Sequence, residues 1–326
     1  MLNKATEGYV DRQKLRDLSR QVNTAYRSQA RSELLREEIR EAIAKLPEME
    51  IDYSMLWDDG DQSLVLALGD FHYGAEIEVK GLRGETINRY NHEVFEERME
   101  KLLSQVAYII AREKIRVIHV FLVGDLIDGM LRQSQLMRLE YGMVESTMRL
   151  SEYLALWLAK LSEQAIVLVY ACTGNHSEVR PLKSKNREFE DENLEKIILW
   201  YLEERLRGDE RITFCGDQQK MVLAEIQGYS FLLLHGDGEK SIDQIAKDAI
   251  NMYSEPIDYF ICGHKHKEQE YPMGMTDDGN SVIIRVPSIC GVDKYAQSRG
   301  YGGKPGATAM VIKRGYGRRC IYPINL

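Results

Sequence analysis

Five short polar motifs, each placed at the end of an apolar run, constrain this chain more than any other feature. Leu64–Leu68 runs into Gly69-Asp70-Phe71-His72, and Val117–Val123 into Gly124-Asp125-Leu126-Ile127-Asp128. Ile166–Ala171 leads to Gly174-Asn175-His176, Phe231–Leu234 to His235-Gly236-Asp237, and Tyr259–Cys262 to Gly263-His264-Lys265-His266. Short buried strands that end in glycine-opened polar loops are the pattern of an α/β sheet, where ligands gather beyond the carboxyl ends of the strands. Strands are predicted over 63–69, 115–123, 165–172, 220–226, 229–235, 257–262, 281–287 and 307–313. Helices are predicted over 88–112, 133–163, 188–206 and 240–252. Strand–helix alternation in the first half predicts parallel βαβ units, and the closely spaced later strands predict hairpins.

The motifs supply Asp, His and Asn side chains in the numbers needed to hold two metal ions. Asp70 and His72 are spaced i, i+2, as are His264 and His266; on extended backbone each pair faces one side. Phe71 and Lys265 then point away. Carboxylate and imidazole donors together suit Mn, Fe, Zn or Ni better than Mg or Ca. A carboxylate such as Asp125 can bridge two cations, and a paired site points to in-line displacement at a phosphate ester. Taken singly the motifs say little: Gly-Asp is a common turn, and a histidine at a strand end, like His235, is usually a satisfied polar residue. The ordered set of five carries the reading. His119, inside an apolar strand, and His92, inside a helix, lack that context and are read as structural.

The rest of the chain narrows the class. At 326 residues it can bury a full core. A net charge of -8 gives no global pull toward polyanions, so nucleic acid would need a local basic patch. Cys172, Cys215, Cys262, Cys290 and Cys320 are scattered with no C-x-x-C pair, which fits free thiols in a reducing compartment. The first residues offer no signal peptide and no apolar run is long enough to span a bilayer, so a cytoplasmic protein with no membrane partner is expected. Residues 1–60 are set apart from 61–326 as an N-terminal helical extension. There Leu34, Leu35, Ile39, Ile43 and Leu46 recur at helical spacing up to Pro47, as expected of an amphipathic helix pair packed on the main domain or on a second copy, giving a homo-oligomer. A DNA-binding helix-turn-helix over Leu18–Arg27 lacks the small residue and turn glycine it would need.

With these motifs the chain resembles the calcineurin-like metallophosphoesterase superfamily, whose pattern is Asp-x-His, Gly-Asp-x-x-Asp, Gly-Asn-His, His and Gly-His-x-His in that order. The resemblance covers roughly residues 62–313 and implies an α/β fold, a four-layer α/β/β/α sandwich, here with the N-terminal helical extension. It implies Asp70, His72, Asp125 and His266 around one metal and Asp125, Asn175, His235 and His264 around the other. Manganese is the first expectation for both ions, with iron, zinc or nickel as alternatives. It further implies His176 as general acid or phosphate contact, and Asp128 as a residue orienting a ligand. One departure concerns Ser177, since many members carry an acidic residue directly after Gly-Asn-His. The helical extension and the Gly-rich segment near residue 300 are similar to bacteriophage and prophage members described as DNA-repair-exonuclease-like.

Three functions follow as expectations: a phosphodiesterase acting on nucleic acid, a phosphomonoesterase or small-nucleotide phosphodiesterase, and a metal-binding regulatory subunit without turnover. The complete ligand set counts against the third. Lys294, Tyr295, Arg299, Tyr301 and Lys304 interleave basic and aromatic residues, a combination that tracks a phosphate backbone and stacks bases. Arg180, Lys183, Lys185 and Arg187 follow His176 and add phosphate contacts to the nucleic-acid expectation.

Overall fold

The computed structural model describes residues 33–34, 36–46, 60–129, 135, 137–179, 191–216, 220–238, 241–254, 256–276, 279–301 and 303–326. The chain divides into two compact units, Met1–Met49 and Glu50–Leu326. In the first, residues 33–34 and 36–43 are helical. The proposed second helix of the pair and the helix-turn-helix reading over Leu18–Arg27 lie outside the described residues.

In the second unit the elements run β1 (Gln62–Leu68), β2 (Ile77–Lys80), β3 (Thr86–Tyr90), α1 (His92–Glu113), β4 (Val117–Leu122), α2 (Met143–Ser162), β5 (Ile166–Ala171), α3 (Glu195–Arg205) and β6 (Ile212–Phe214). They continue with β7 (Met221–Ile226), β8 (Tyr229–Leu234), α4 (Ile242–Tyr253), β9 (Tyr259–Cys262), β10 (Gln269–Thr276), β11 (Gly279–Arg285), α5 (Lys294–Ser298), β12 (Gly306–Lys313) and β13 (Gly317–Asn325). One sheet has the order β13-β12-β1-β4-β5-β6 and the other β10-β11-β9-β8-β7. Strands β1, β4, β5 and β6 are mutually parallel, as the strand–helix alternation predicts. The hairpins β7–β8, β10–β11 and β12–β13 are antiparallel.

Both faces of β1 and β4 are buried, which is why they read as nearly continuous apolar runs, interrupted in β4 by His119. Alternate residues Val65, Ala67 and Phe121 point to the second sheet and join Phe231, Leu233, Tyr259, Ile261 and Met310 in the core between the sheets. Phe231 and Tyr259 stack there with centroids 4.7 Å apart. Each fully buried side chain of this kind contributes about 1.5–3 kcal/mol. α1 and α2 lie together, with Trp157 Nε1 donating to Met99 O at 3.0 Å. On the second sheet Leu232, Leu234, Phe260 and Ile283 pack under Ala246 and Ala249 of α4. The layers are therefore α/β/β/α, with the two sheets face to face.

Several element boundaries differ from the sequence reading. The predicted helix 88–112 absorbed the end of β3; Asn91 is the true N-cap, accepting from Val94 N–H at 3.0 Å. Within the predicted helix 133–163 Gln135 is helical, residues 137–142 are not, and the long helix starts at Met143; of the predicted 188–206, residues 191–194 are not helical and the helix starts at Glu195. Strands β2, β3, β6, β10 and β13 were not predicted. β2 and β3 form a two-stranded surface hairpin with only alternate residues buried, and β6 has three residues. Among the described residues no helix is long and apolar enough to cross a membrane. All five cysteines are free.

Candidate metal centre

The five motif loops meet at one end of the sandwich and are hydrogen-bonded to one another. Asp70 N–H donates to Gly124 O and His72 N–H to Asp125 O, each at 3.0 Å, so the first two motifs run side by side. Gly263 N–H donates to His235 O at 3.1 Å, and His264 N–H to Asp70 Oδ2 at 2.9 Å, which joins the two sheets at this point. The loops approach so closely that a Cβ on Gly174 would overlap the backbone nitrogen and Oδ1 of Asp125. Only glycine fits there.

Backbone strain is concentrated here. Asp70 (φ 50), His72 (φ 46), Asp125 (φ 53), His264 (φ 70) and His266 (φ 52) all lie in the left-handed region; only three other non-glycine residues among those described do so. Each such residue costs about 1–3 kcal/mol and persists only where its surroundings hold it. The i, i+2 pairs therefore converge by left-handed turns, not along the extended backbone expected from their spacing. Phe71 is fully buried, with its ring centroid 5.5 Å from that of Phe95.

The side chains form two adjoining groups. In the first, His72 Nε2 and His266 Nε2 are 3.1 Å apart, and Asp70 Oδ1 lies 3.9 Å and 3.5 Å from them. In the second, His235 Nε2 is 2.9 Å from Asp125 Oδ2 and 3.3 Å from His264 Nδ1. Asp125 Oδ2 is also 4.0 Å from His72 Nε2, so this carboxylate faces both groups. Asn175 Oδ1 is buried with no hydrogen-bond partner among the described residues, as is Asp70 Oδ1.

This donor set fits cations. His72 Nδ1 faces Asp128 Oδ1 at 3.4 Å, His266 Nδ1 faces Gly291 O at 3.1 Å, and His235 Nδ1 faces Val123 O at 2.8 Å. Those acceptors place the ring proton on Nδ1 and leave a lone pair on each Nε2. Two Nε2 lone pairs then confront each other across 3.1 Å, and a third confronts a carboxylate oxygen, arrangements that repel unless positive charge lies between. Burial opposes a charge on His235, yet the Asp125 carboxylate outweighs it and holds its pKa at about 10. Without a cation, a proton is what such a set takes up.

His176 stands beside these groups. Its Nδ1 is 2.7 Å from Asp128 Oδ1, its N–H donates to Asp125 Oδ1 at 2.7 Å, and its ring meets the His72 ring edge-on at 4.4 Å. Asp128 thus touches both His176 and His72. Gln135 and Arg138, which the sequence reading did not single out, also approach Asp128: Gln135 Nε2 lies 3.3 Å from Oδ1 and Arg138 Nε 3.8 Å from Oδ2.

Other residues were missed as well. Glu195 is fully buried, and its carboxylate accepts from the N–H of Leu126 and of Gly174. The predicted helix start at 188 had hidden it in a helix interior. Arg285 is buried and donates to Gly263 O at 2.6 Å. A lone arginine in the apolar run Val282–Val286 was its only signal. Cys290 Sγ lies 3.8 Å from His266 Nδ1 and has no motif context.

Of the expected substrate contacts, Arg180, Lys183, Lys185 and Arg187 lie outside the described residues. Tyr295 is on α5 and 43% exposed, with Arg299 Cζ 5.6 Å from its ring centroid. Tyr301 lies beneath Lys265, whose Nζ is 5.5 Å from the ring centroid. Asp293 caps α5 by accepting from Ala296 N–H and is 3.3 Å from Arg138 Nη1, which links this helix to Asp128.

Residues 63–268 match the model of the calcineurin-like phosphoesterases, and the chain belongs to that family. Its members typically hold two divalent metal ions and hydrolyse phosphoester bonds, and the chain is a metal-dependent hydrolase of that class. The chain is similar to the SPbeta prophage-derived uncharacterized protein YonJ of Bacillus subtilis (strain 168), with 29% identity over 320 residues, covering 97% of this chain and 77% of that protein. Among solved structures it is similar to a novel archaeal phosphodiesterase, at 12% identity and TM-score 0.40, covering 81% of this chain and 99% of that one. A metallophosphoesterase from Sphaerobacter thermophilus gives 12% identity and TM-score 0.35, covering 81% and 88%.

Proposed function

We propose that the protein is a two-metal phosphodiesterase of the nuclease kind, acting on nucleic acid. The observation that carries the substrate class is the Lys265–Tyr301 contact. Lys265 sits between His264 and His266, so the basic and aromatic loop lies directly against a metal motif. A base stacked on Tyr301 or Tyr295 would have its phosphate within reach of the centre.

Asp70, His72, Asp125 and His266 would hold one cation, and Asp125, Asn175, His235 and His264 the other. Mixed carboxylate, amide and imidazole donors favour manganese, with iron, zinc or nickel able to replace it. When bound, the two ions supply positive charge to the phosphoryl group and to both oxygens of an in-line displacement. His176 would give the proton to the leaving oxygen. Asp128 holds its Nδ1 and so fixes the ring, leaving Nε2 for that transfer. Arg299 would contact backbone phosphate beside Tyr295, and Arg180 would add a further phosphate contact.

The net charge of -8 favours a second reading, a phosphomonoesterase or small-nucleotide phosphodiesterase. The deciding experiment compares hydrolysis of a generic monoester, a generic diester, single-stranded DNA and duplex DNA with Mn²⁺. Cleavage of DNA at rates above the generic diester supports the nuclease; turnover of small esters alone replaces it with the second reading.

A further inference from the structure

We infer that Glu195 is the positioning residue for the loops that carry Asp125, Asn175 and His176, reaching them with its carboxylate from the start of α3. The inference rests on the two-metal reading above.

The hydrogen bonds of this one side chain reach the neighbours of all three residues. Glu195 Oε1 accepts from Leu126 N–H at 2.7 Å, and Leu126 follows Asp125. Oε2 accepts from Gly174 N–H at 2.8 Å, and Gly174 precedes Asn175. Oε1 also accepts from Ser177 Oγ at 2.7 Å, and Ser177 follows His176. Ser177 therefore places its side chain against this carboxylate, 2.7 Å from Oε1.

Burial pushes the Glu195 carboxyl pKa up, and the three donated hydrogen bonds oppose that rise by favouring the carboxylate. None of them goes to α3, so the carboxylate serves the motif loops and not its own helix. The turn before α3 is built to deliver it. Asn193 Nδ2 donates to Gly174 O at 2.8 Å, Asn193 Oδ1 accepts from Glu195 N–H at 2.9 Å, and Leu194 N–H donates to Ser177 O at 2.9 Å. The carboxylate belongs to none of the clusters able to hold a metal among the described residues. It acts through the residues that do. With Gly174 packed against Asp125 so tightly that no side chain fits, a small shift of either loop would move both Asp125 and Asn175.

The test is Mn²⁺ titration of the full chain by calorimetry, which needs no substrate, together with turnover of an activated diester. In Glu195→Gln one acceptor oxygen becomes a donor that faces N–H or O–H groups. We expect one of the two Mn²⁺ affinities to fall about 10–100-fold and kcat to fall with KM unchanged. Moving the carboxylate, with Ser177→Glu combined with Glu195→Ala, should restore the lost affinity. If Glu195→Gln does not fold, Glu195→Asp retains the charge with a shorter reach and should show the same selective loss in smaller degree. A Glu195→Gln protein with both parental affinities and parental kcat would overturn the inference, as would a swap no better than the single variant. Because the titration is independent of substrate, failure of the nucleic-acid reading leaves this outcome readable; a parent that binds no Mn²⁺ overturns both.

Discussion

His72 and His266 approach each other Nε2 to Nε2 at 3.1 Å while each turns its Nδ1 to an acceptor. The pair is held open by the loops around it and is completed only by positive charge. Chelation should therefore destabilise the protein. At Mn²⁺ 100-fold above its dissociation constant, binding contributes about 2.7 kcal/mol, or roughly 5–10 °C in Tm for a domain of this size. Asp125→Asn should abolish most of that shift, because Asp125 faces both groups, whereas His72→Ala should remove part of it. Calorimetric melting with EDTA and with Mn²⁺ reads the difference. An Asp125→Asn protein with the full parental shift would rule out the shared carboxylate.

His176→Ala should keep its metals and lose rate. Its ring Nδ1 is held by Asp128 and only its backbone N–H reaches the Asp125 carboxylate, so its side chain is not among the confronted donor atoms. A general acid is worth about 10²–10⁴-fold. The loss should be least for a diester whose leaving group needs no proton. Equal losses on activated and unactivated esters would argue for phosphate binding in place of proton transfer.

Replacing Tyr295 and Tyr301 by alanine should weaken single-stranded oligonucleotide binding by about 1–3 kcal/mol per lost stack. Turnover of a small activated diester should be unchanged. Parental binding should also weaken steeply with salt, since bound phosphates release counterions. Fluorescence anisotropy at two salt concentrations checks both; affinity indifferent to salt and to the tyrosines would remove this loop from the substrate path.

His119 offers a pH test away from the centre. It is buried in β4, its Nδ1 has no partner among the described residues, and burial lowers its pKa from 6.5 to about 4. The unfolded chain takes up a proton at the higher value and the folded chain only at the lower. The contribution of the neutral ring is therefore complete above pH 6.5 and is lost as pH falls toward 4, at about 1.4 kcal/mol per unit. Tm should drop more steeply across that window in the parent than in His119→Leu. Parallel curves would show that the ring is solvated.

The elements best read from sequence were those buried on both faces. β1, β4, β5, β8 and β9 are predominantly apolar because sheet and helix, or sheet and sheet, cover each side. What escaped was half-exposed or at an edge. β13 carries Arg318, Arg319 and Pro323, and it tolerates that proline because it is an edge strand. The motif residues were legible as a set because chemistry fixes their types. Their left-handed backbone was not, since neither aspartate nor histidine announces a positive φ as glycine does. Glu195 and Arg285 escaped because one buried charged residue per element leaves no periodic trace.

The loops that meet at the centre belong to both sheets. Asp70, Asp125 and Asn175 follow strands of one, His235 and His264 follow strands of the other, and His72 and His266 are 194 residues apart in the chain. No stretch short enough to fold by itself holds a complete site. Capturing the ions is therefore the closing event of folding and cannot nucleate it, because such distant partners meet only after the intervening chain has been ordered. A zinc finger needs its metal in order to fold. Here the chain must order both sheets first, and the ions then add stability to an architecture already in place.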